Sequence, residues 1–181
     1  MLLLTALCVI FLSLPGRSHR DAALLRGDFV AGLRRYEGVK YFWGGESPKG
    51  IDCSGLMRRG LIDGLFLRGV RNGDPGLVRY AIWLWWHDCT AADLGMGDGA
   101  TARCFAIRNI NGLDHSRLLP GDLAVTVGGG HVMAYLGGNL WIEADPWAGR
   151  VIIERAPSAR NSWFSTPMNI VRWRILEPAA S

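Results

Sequence analysis

The stretch "YFWGGESPKGIDCSGL", Tyr41 to Leu56, places one cysteine between Asp52 and Ser54, past a glycine-rich turn and ahead of a helical pattern. An aspartate before an apolar run predicts a helix opening at Asp52 or Cys53 and continuing through "SGLMRRGLIDGLF", with its glycines weakening the pattern. A cysteine in the first turn of a helix stands among unpaired backbone N–H groups at the positive end of the dipole, which favours thiolate over thiol. The same N–H groups can serve as an oxyanion hole. The bland reading, a small buried hydrophobe, is the commoner fate of a cysteine. The polar, sharply turning neighbours Gly-Ile-Asp and Ser-Gly do not suit a core position, so Cys53 reads as a nucleophile.

A nucleophilic cysteine needs a base. His19 precedes the domain, His87 sits in a tryptophan-rich helical pattern and His115 in an irregular segment. His131 follows "VGGG" and begins the strand pattern "HVMAYLG", so the glycines leave its ring approachable while the strand fixes its place. A lone histidine in an apolar strand is more often a satisfied core residue, and that reading stays open at this point. A third polar group usually fixes the imidazole tautomer. The next strand pattern, "LWIEAD", offers Glu143, with Asp145 two residues on and on the same face; an edge strand with its acids in water is the alternative.

Outward from these residues, Ala22, Leu25, Phe29 and Leu33 recur at helical spacing, with Asp21 placed to cap and Gly38 to stop. Asp74-Pro75 opens another helix over "GLVRYAIWLWWHDC". The segment from Gly95 to Arg117 gives mixed signals and is expected to be irregular. Beyond Leu118, "DLAVTV", "HVMAYLG", "LWIEAD" and "RVIIERA" are short strands separated by glycine-containing turns, an antiparallel meander. Helices first and strands second predict an α+β domain. At 181 residues and 49% hydrophobic, the chain is long enough for one domain with a core, and a monomer is expected.

Residues 2 to 14, "LLLTALCVIFLSL", form an apolar run that is short for a bilayer span and ends at Pro15-Gly16. Residues 1–20 therefore read as a signal peptide or a short membrane anchor, and the domain as exported to the periplasm or cell envelope. Cys8 lacks a small residue immediately before it, which argues against lipidation. The remaining Cys53, Cys89 and Cys104 allow either a Cys89–Cys104 disulfide or three reduced thiols. A net charge of +4 favours anionic partners, but the arginines are scattered, Lys40 and Lys49 are the only lysines, and no nucleic-acid partner is expected. The Cys and His spacings match no zinc pattern, and no dinucleotide or triphosphate loop is present, so neither metal nor cofactor is expected. Eight tryptophans, Trp83, Trp85 and Trp86 among them, read either as groove lining or as helix packing.

Together "YFWGG", "GIDCSGL", "LLPGDLAV", "GGHVMAYLGG" and "WIEA" resemble the NlpC family of papain-like cysteine peptidases, which trim bacterial peptidoglycan, in the family's order. The resemblance covers roughly residues 21 to 145, with an insertion at about 63–117 inside a domain of 21–181. It implies a papain-like NlpC-type fold in which helices, the cysteine helix among them, pack on a small antiparallel sheet. It further implies Cys53 as nucleophile, His131 as general base and Glu143 as the third residue, where the family commonly has histidine, asparagine or glutamine. A carboxylate there should raise the His131 pKa. Tyr41 matches a tyrosine beside the nucleophile, an aromatic core wedge being the alternative. Asp52 and Ser54 match positions that in some members hold the free amine of a stem peptide. The implied partners are peptidoglycan peptides, cut between D-glutamate and diaminopimelate or at a nearby bond. Two rivals stand beside this: an amidase, acyltransferase or toxin on the same scaffold, and a catalytically weak wall-binding protein, for which Glu143 is the argument.

Overall fold

The computed structural model describes residues 2–17, 21–97 and 99–178; His19 lies outside them. Among the described residues, five α-helices precede or interrupt the strands: α1 Leu2–Ser13, α2 Ala22–Arg34, α3 Cys53–Asn72, α4 Pro75–Trp86 and α5 Ala91–Met96. Their starts are set locally. The side chains of Asp21, Asp52 and Asp74 each accept amide hydrogen bonds from the first turns of α2, α3 and α4, and Pro75 occupies the first turn of α4, where its missing N–H is harmless. No described helix is long and apolar enough to cross a membrane.

Eight strands follow two patterns. A short hairpin pairs β1 Glu46–Ser47 with β2 Gly50–Ile51 just before the cysteine helix. The remainder, β3 Thr101–Ile107, β4 Leu123–Thr126, β5 Val132–Gly137, β6 Leu140–Asp145, β7 Arg150–Arg155 and β8 Met168–Trp173, form one antiparallel sheet in the order β3-β8-β4-β5-β6-β7. The expected meander is β4 to β7. The segment from Gly95 to Arg117 is not irregular throughout: it carries the end of α5 and the edge strand β3, and β8 inserts between β3 and β4. The pair of buried Asp122 with partly buried Arg172 ties the start of β4 to β8, with Nε–Oδ1 and Nη2–Oδ2 distances of 2.5 and 2.8 Å.

The sheet is covered on both faces. Leu123 and Val125, Val132 and Ala134, and Ile142 and Ala144 pack with α2, α3 and α4, while the alternate residues Ala124, Met133, Tyr135 and Trp141 pack with Ile110, Leu118, Ala156 and Phe164 from the loops. α2 and α3 approach closely at Gly32 and Gly60; a Cβ on Gly32 would lie 2.2 Å from the Gly60 carbonyl oxygen. Cys89 and Cys104 are both free thiols, and no disulfide joins them.

Candidate active site

Cys53 is the first residue of α3. Asp52 caps the helix: Oδ1 accepts from the Gly55 amide at 2.7 Å and from Ser54 Oγ at 3.0 Å, and Oδ2 accepts from the Gly44 amide at 2.8 Å. The carboxylate thus fastens the aromatic turn "YFWGG" to the helix start and uses three of its roughly four acceptor positions. Gly55 permits the contact, since a Cβ there would lie 2.4 Å from the Gly45 carbonyl oxygen.

His131 stands one residue before β5. The register Ala134↔Ile142 sets Met133 opposite Glu143, which makes His131 and Glu143 diagonal neighbours on one face. His131 Nε2 donates to Glu143 Oε2 at 2.5 Å, and both side chains are almost fully buried. Cys53 is close enough to the imidazole to act on its charge; with Nε2 bound to Glu143, Nδ1 is the ring nitrogen left for the thiol. Burial opposes the ring's charge, but the hydrogen bonds and negative charges of Cys53 and Glu143 overcome it, and the His131 pKa is pushed up to about 9. Asp145 is engaged elsewhere: its Oδ1 accepts from the Trp147 and Ala148 amides at 2.5 and 3.1 Å and holds the β6–β7 turn.

Tyr41 is half-buried beside these groups. Desolvation first, then the charges of Cys53, Asp52 and Asp145, push its pKa up to about 12, so its hydroxyl remains a donor at any ordinary pH. The six residues singled out from sequence, Cys53, His131, Glu143, Tyr41, Asp52 and Ser54, therefore lie in one locality. The other described histidines are otherwise engaged: His115 Nε2 accepts from Trp141 Nε1 at 3.2 Å, and His87 stacks on Trp83 with centroids 4.4 Å apart.

Two residues near His131 carried no sequence signal of their role. Asn161 is buried; its Nδ2 donates to Glu143 Oε1, and its Oδ1 accepts from the Trp163 amide at 3.0 Å. Trp163 lies flat on the imidazole, with centroids 4.4 Å apart and planes 15° from parallel. Asn161 caps and Trp163 lies in the 3-10 turn Ser162–Ser165, pinned by the fully buried Phe164, whose burial contributes about 1.5–3 kcal/mol. "RNSW" has a capping residue, but nothing local indicates that it reaches Glu143, 18 residues earlier.

A cleft of about 540 Å³ opens over Cys53, lined by Asp52 and Ser54 on one element and by Trp85, Trp86 and Asp88 on another. Its wall rests on buried Arg58, which pairs with Glu46, bonds Asp88 Oδ1 at 2.9 Å and donates to the Leu84 carbonyl at 2.7 Å. Trp86 and Trp43 are 72% and 80% exposed there, so part of the tryptophan excess lies on the cleft surface.

Solved structures show the same fold. The P60 domain of antigen MAP1204 from Mycobacterium avium subspecies paratuberculosis is 21% identical, with 87% of this chain and 98% of that chain covered and a TM-score of 0.52. The peptidoglycan hydrolase RipB of Mycobacterium tuberculosis is 21% identical over 98% of this chain and 87% of that one, with a TM-score of 0.56. NlpC2 of Trichomonas vaginalis is 20% identical over 86% of this chain and 49% of that one, with a TM-score of 0.54. No curated protein sequence matches the chain. The NlpC/P60 family model matches residues 38–170, a span that begins just before the aromatic turn and takes in Cys53, His131, Glu143 and Asn161. By that match the chain belongs to the NlpC/P60 family of cysteine peptidases.

Proposed function

We propose that this chain hydrolyses amide bonds in peptidoglycan stem peptides through Cys53, His131 and Glu143. The observation that supports this most is the buried imidazole bonded to Glu143 and close to Cys53, with the thiol lining an open cleft. The Cys53 sulfur attacks the scissile carbonyl carbon, and the developing oxyanion is met by the Cys53 and Ser54 amides, which have no intrahelical acceptor. The protonated His131 gives its proton to the leaving nitrogen as the C–N bond breaks, leaving a thioester on Cys53. Water then attacks the thioester while the neutral ring takes one of its protons; the C–S bond breaks, and the acid leaves with the thiolate restored beside a protonated ring. Glu143 balances that charge throughout.

Asp52 retains one acceptor position and Ser54 a hydroxyl at the cleft edge, a setting suited to a free α-amine on the substrate. This favours a short stem beginning with L-alanine, and with it the bond between D-glutamate and diaminopimelate. The domain of residues 21–181 then acts outside the cytoplasm, with 1–20 as export signal or short anchor and 63–117 shaping the cleft through α4. The full chain and its Cys53→Ala variant, each incubated with muropeptides and analysed by mass spectrometry, test the reading. New fragments from the unaltered chain alone are expected, and their masses locate the bond; no fragments from either folded protein would overturn it.

A further inference from the structure

Glu143 is a buried carboxylate with a side-chain donor at each oxygen. A buried carboxylate stays ionised only if both oxygens find donors. His131 fills Oε2 and Asn161 fills Oε1. Asn161 also accepts from the Trp163 amide, and the Trp163 ring covers one face of the imidazole. One carboxamide therefore fixes the carboxylate on one side and, on the other, the backbone of the residue that keeps the imidazole from tilting. The electron-rich indole face also suits a protonated ring.

We propose that Asn161 is a positioning residue that makes Cys53, His131, Glu143 and itself one unit, the side chain that allows a glutamate to serve beside His131. This rests on the reading of Cys53 and His131 as the reacting pair. Without the Asn161 donor, Glu143 Oε1 is buried and unpaired. The carboxylate then takes a proton or rotates Oε2 away from Nε2, and the imidazole loses both its charge partner and its fixed orientation toward Cys53. Capping of the 3-10 turn alone would produce neither effect.

The test needs no substrate. The rate at which iodoacetamide alkylates Cys53 is followed by peptide mass mapping, which separates it from Cys8, Cys89 and Cys104, in the full chain at several pH values. The variants are Asn161→Ala, Glu143→Gln and the two combined, with thermal unfolding as the check on folding. Asn161→Ala is expected to slow alkylation about 10- to 100-fold near neutral pH, the scale of a misplaced catalytic group. It should approach the unaltered rate at alkaline pH, where any thiol ionises. In the Glu143→Gln background the same change should add almost nothing, because Asn161 acts through Glu143. Asn161→Asp keeps the acceptor for the Trp163 amide while replacing the N–H donor, and it carries the same test if Asn161→Ala does not fold. Alkylation at the unaltered rate in a folded variant, or factors that multiply in the double variant, would overturn the proposal. Muropeptides left uncut while alkylation behaves as described would instead sink the substrate reading and leave this one standing.

Discussion

Replacing Glu143 by glutamine removes one negative charge from His131 and nearly preserves the side chain's shape. Two donors, His131 Nε2 and Asn161 Nδ2, converge on the carboxylate, and a glutamine amide has one acceptor oxygen, so one of them loses its bond. Raising the ring from 6.5 to about 9 is worth about 3 kcal/mol in favour of the charged form. Cys53 and Glu143 supply it jointly against the penalty of burial. Losing the Glu143 share removes on the order of 1–2 kcal/mol, and with the loss of ring orientation kcat/KM should fall roughly 10²-fold. The pH profile carries the more specific signature. In the proposed mechanism a protonated ring gives its proton to the leaving nitrogen, so the alkaline limb of kcat/KM should lie near 9 in the unaltered chain and move toward neutrality in Glu143→Gln. Muropeptide turnover followed by chromatography across pH measures both. A variant within twofold of the unaltered rate, with its alkaline limb still near 9, would refute the reasoning.

Other consequences follow from the same geometry. His131 binds its proton more tightly folded than unfolded, so its stabilising contribution is complete below about 6.5 and is lost as pH rises through about 9; chemical denaturation across that window should show falling stability, with a smaller fall in Glu143→Gln. Asp122→Ala removes the bonds to the partly exposed Arg172 guanidinium and should destabilise the protein by about 1.5–3 kcal/mol, measurable as a lowered denaturation midpoint. Arg58→Met removes the support beneath the Trp85–Trp86 wall and leaves Glu46 unpaired. KM for a stem peptide should rise more than kcat falls, and the reverse split would show that Arg58 does not act through the cleft wall. Acetylating the stem's α-amine should raise KM about tenfold or more if Asp52 and Ser54 receive it, since a charge-assisted hydrogen bond is worth about 1.5–3 kcal/mol.

Features governed by short-range physics were readable along the chain. Asp21, Asp52 and Asp74 announce helix starts because a capping aspartate bonds to amides two or three residues ahead. The first three meander strands alternate between two buried faces, and the meander turns on glycines. Cys53, His131 and Glu143 could be picked out because each sits at a recognisable local junction. What was not readable depends on distant pairing. β3, "TARCFAI", is a half-exposed, bulged edge strand whose polar residues mask its pattern, and β8 is defined by neighbours more than 40 residues earlier in the chain. The choice of Glu143 over Asp145 turned on the β6–β7 turn claiming Asp145. Asn161 reaches Glu143 and Trp163 reaches His131 because Phe164 anchors their turn in the second core, a packing event with no local signature.

The most direct measurement of the central claim is intact-protein mass spectrometry of the full chain, acid-quenched during turnover of a stem peptide. A transient adduct with the mass of the acyl fragment, mapped to the Cys53 peptide and absent from Cys53→Ala, is the predicted result. Stem-peptide cleavage that persists in Cys53→Ala would contradict it.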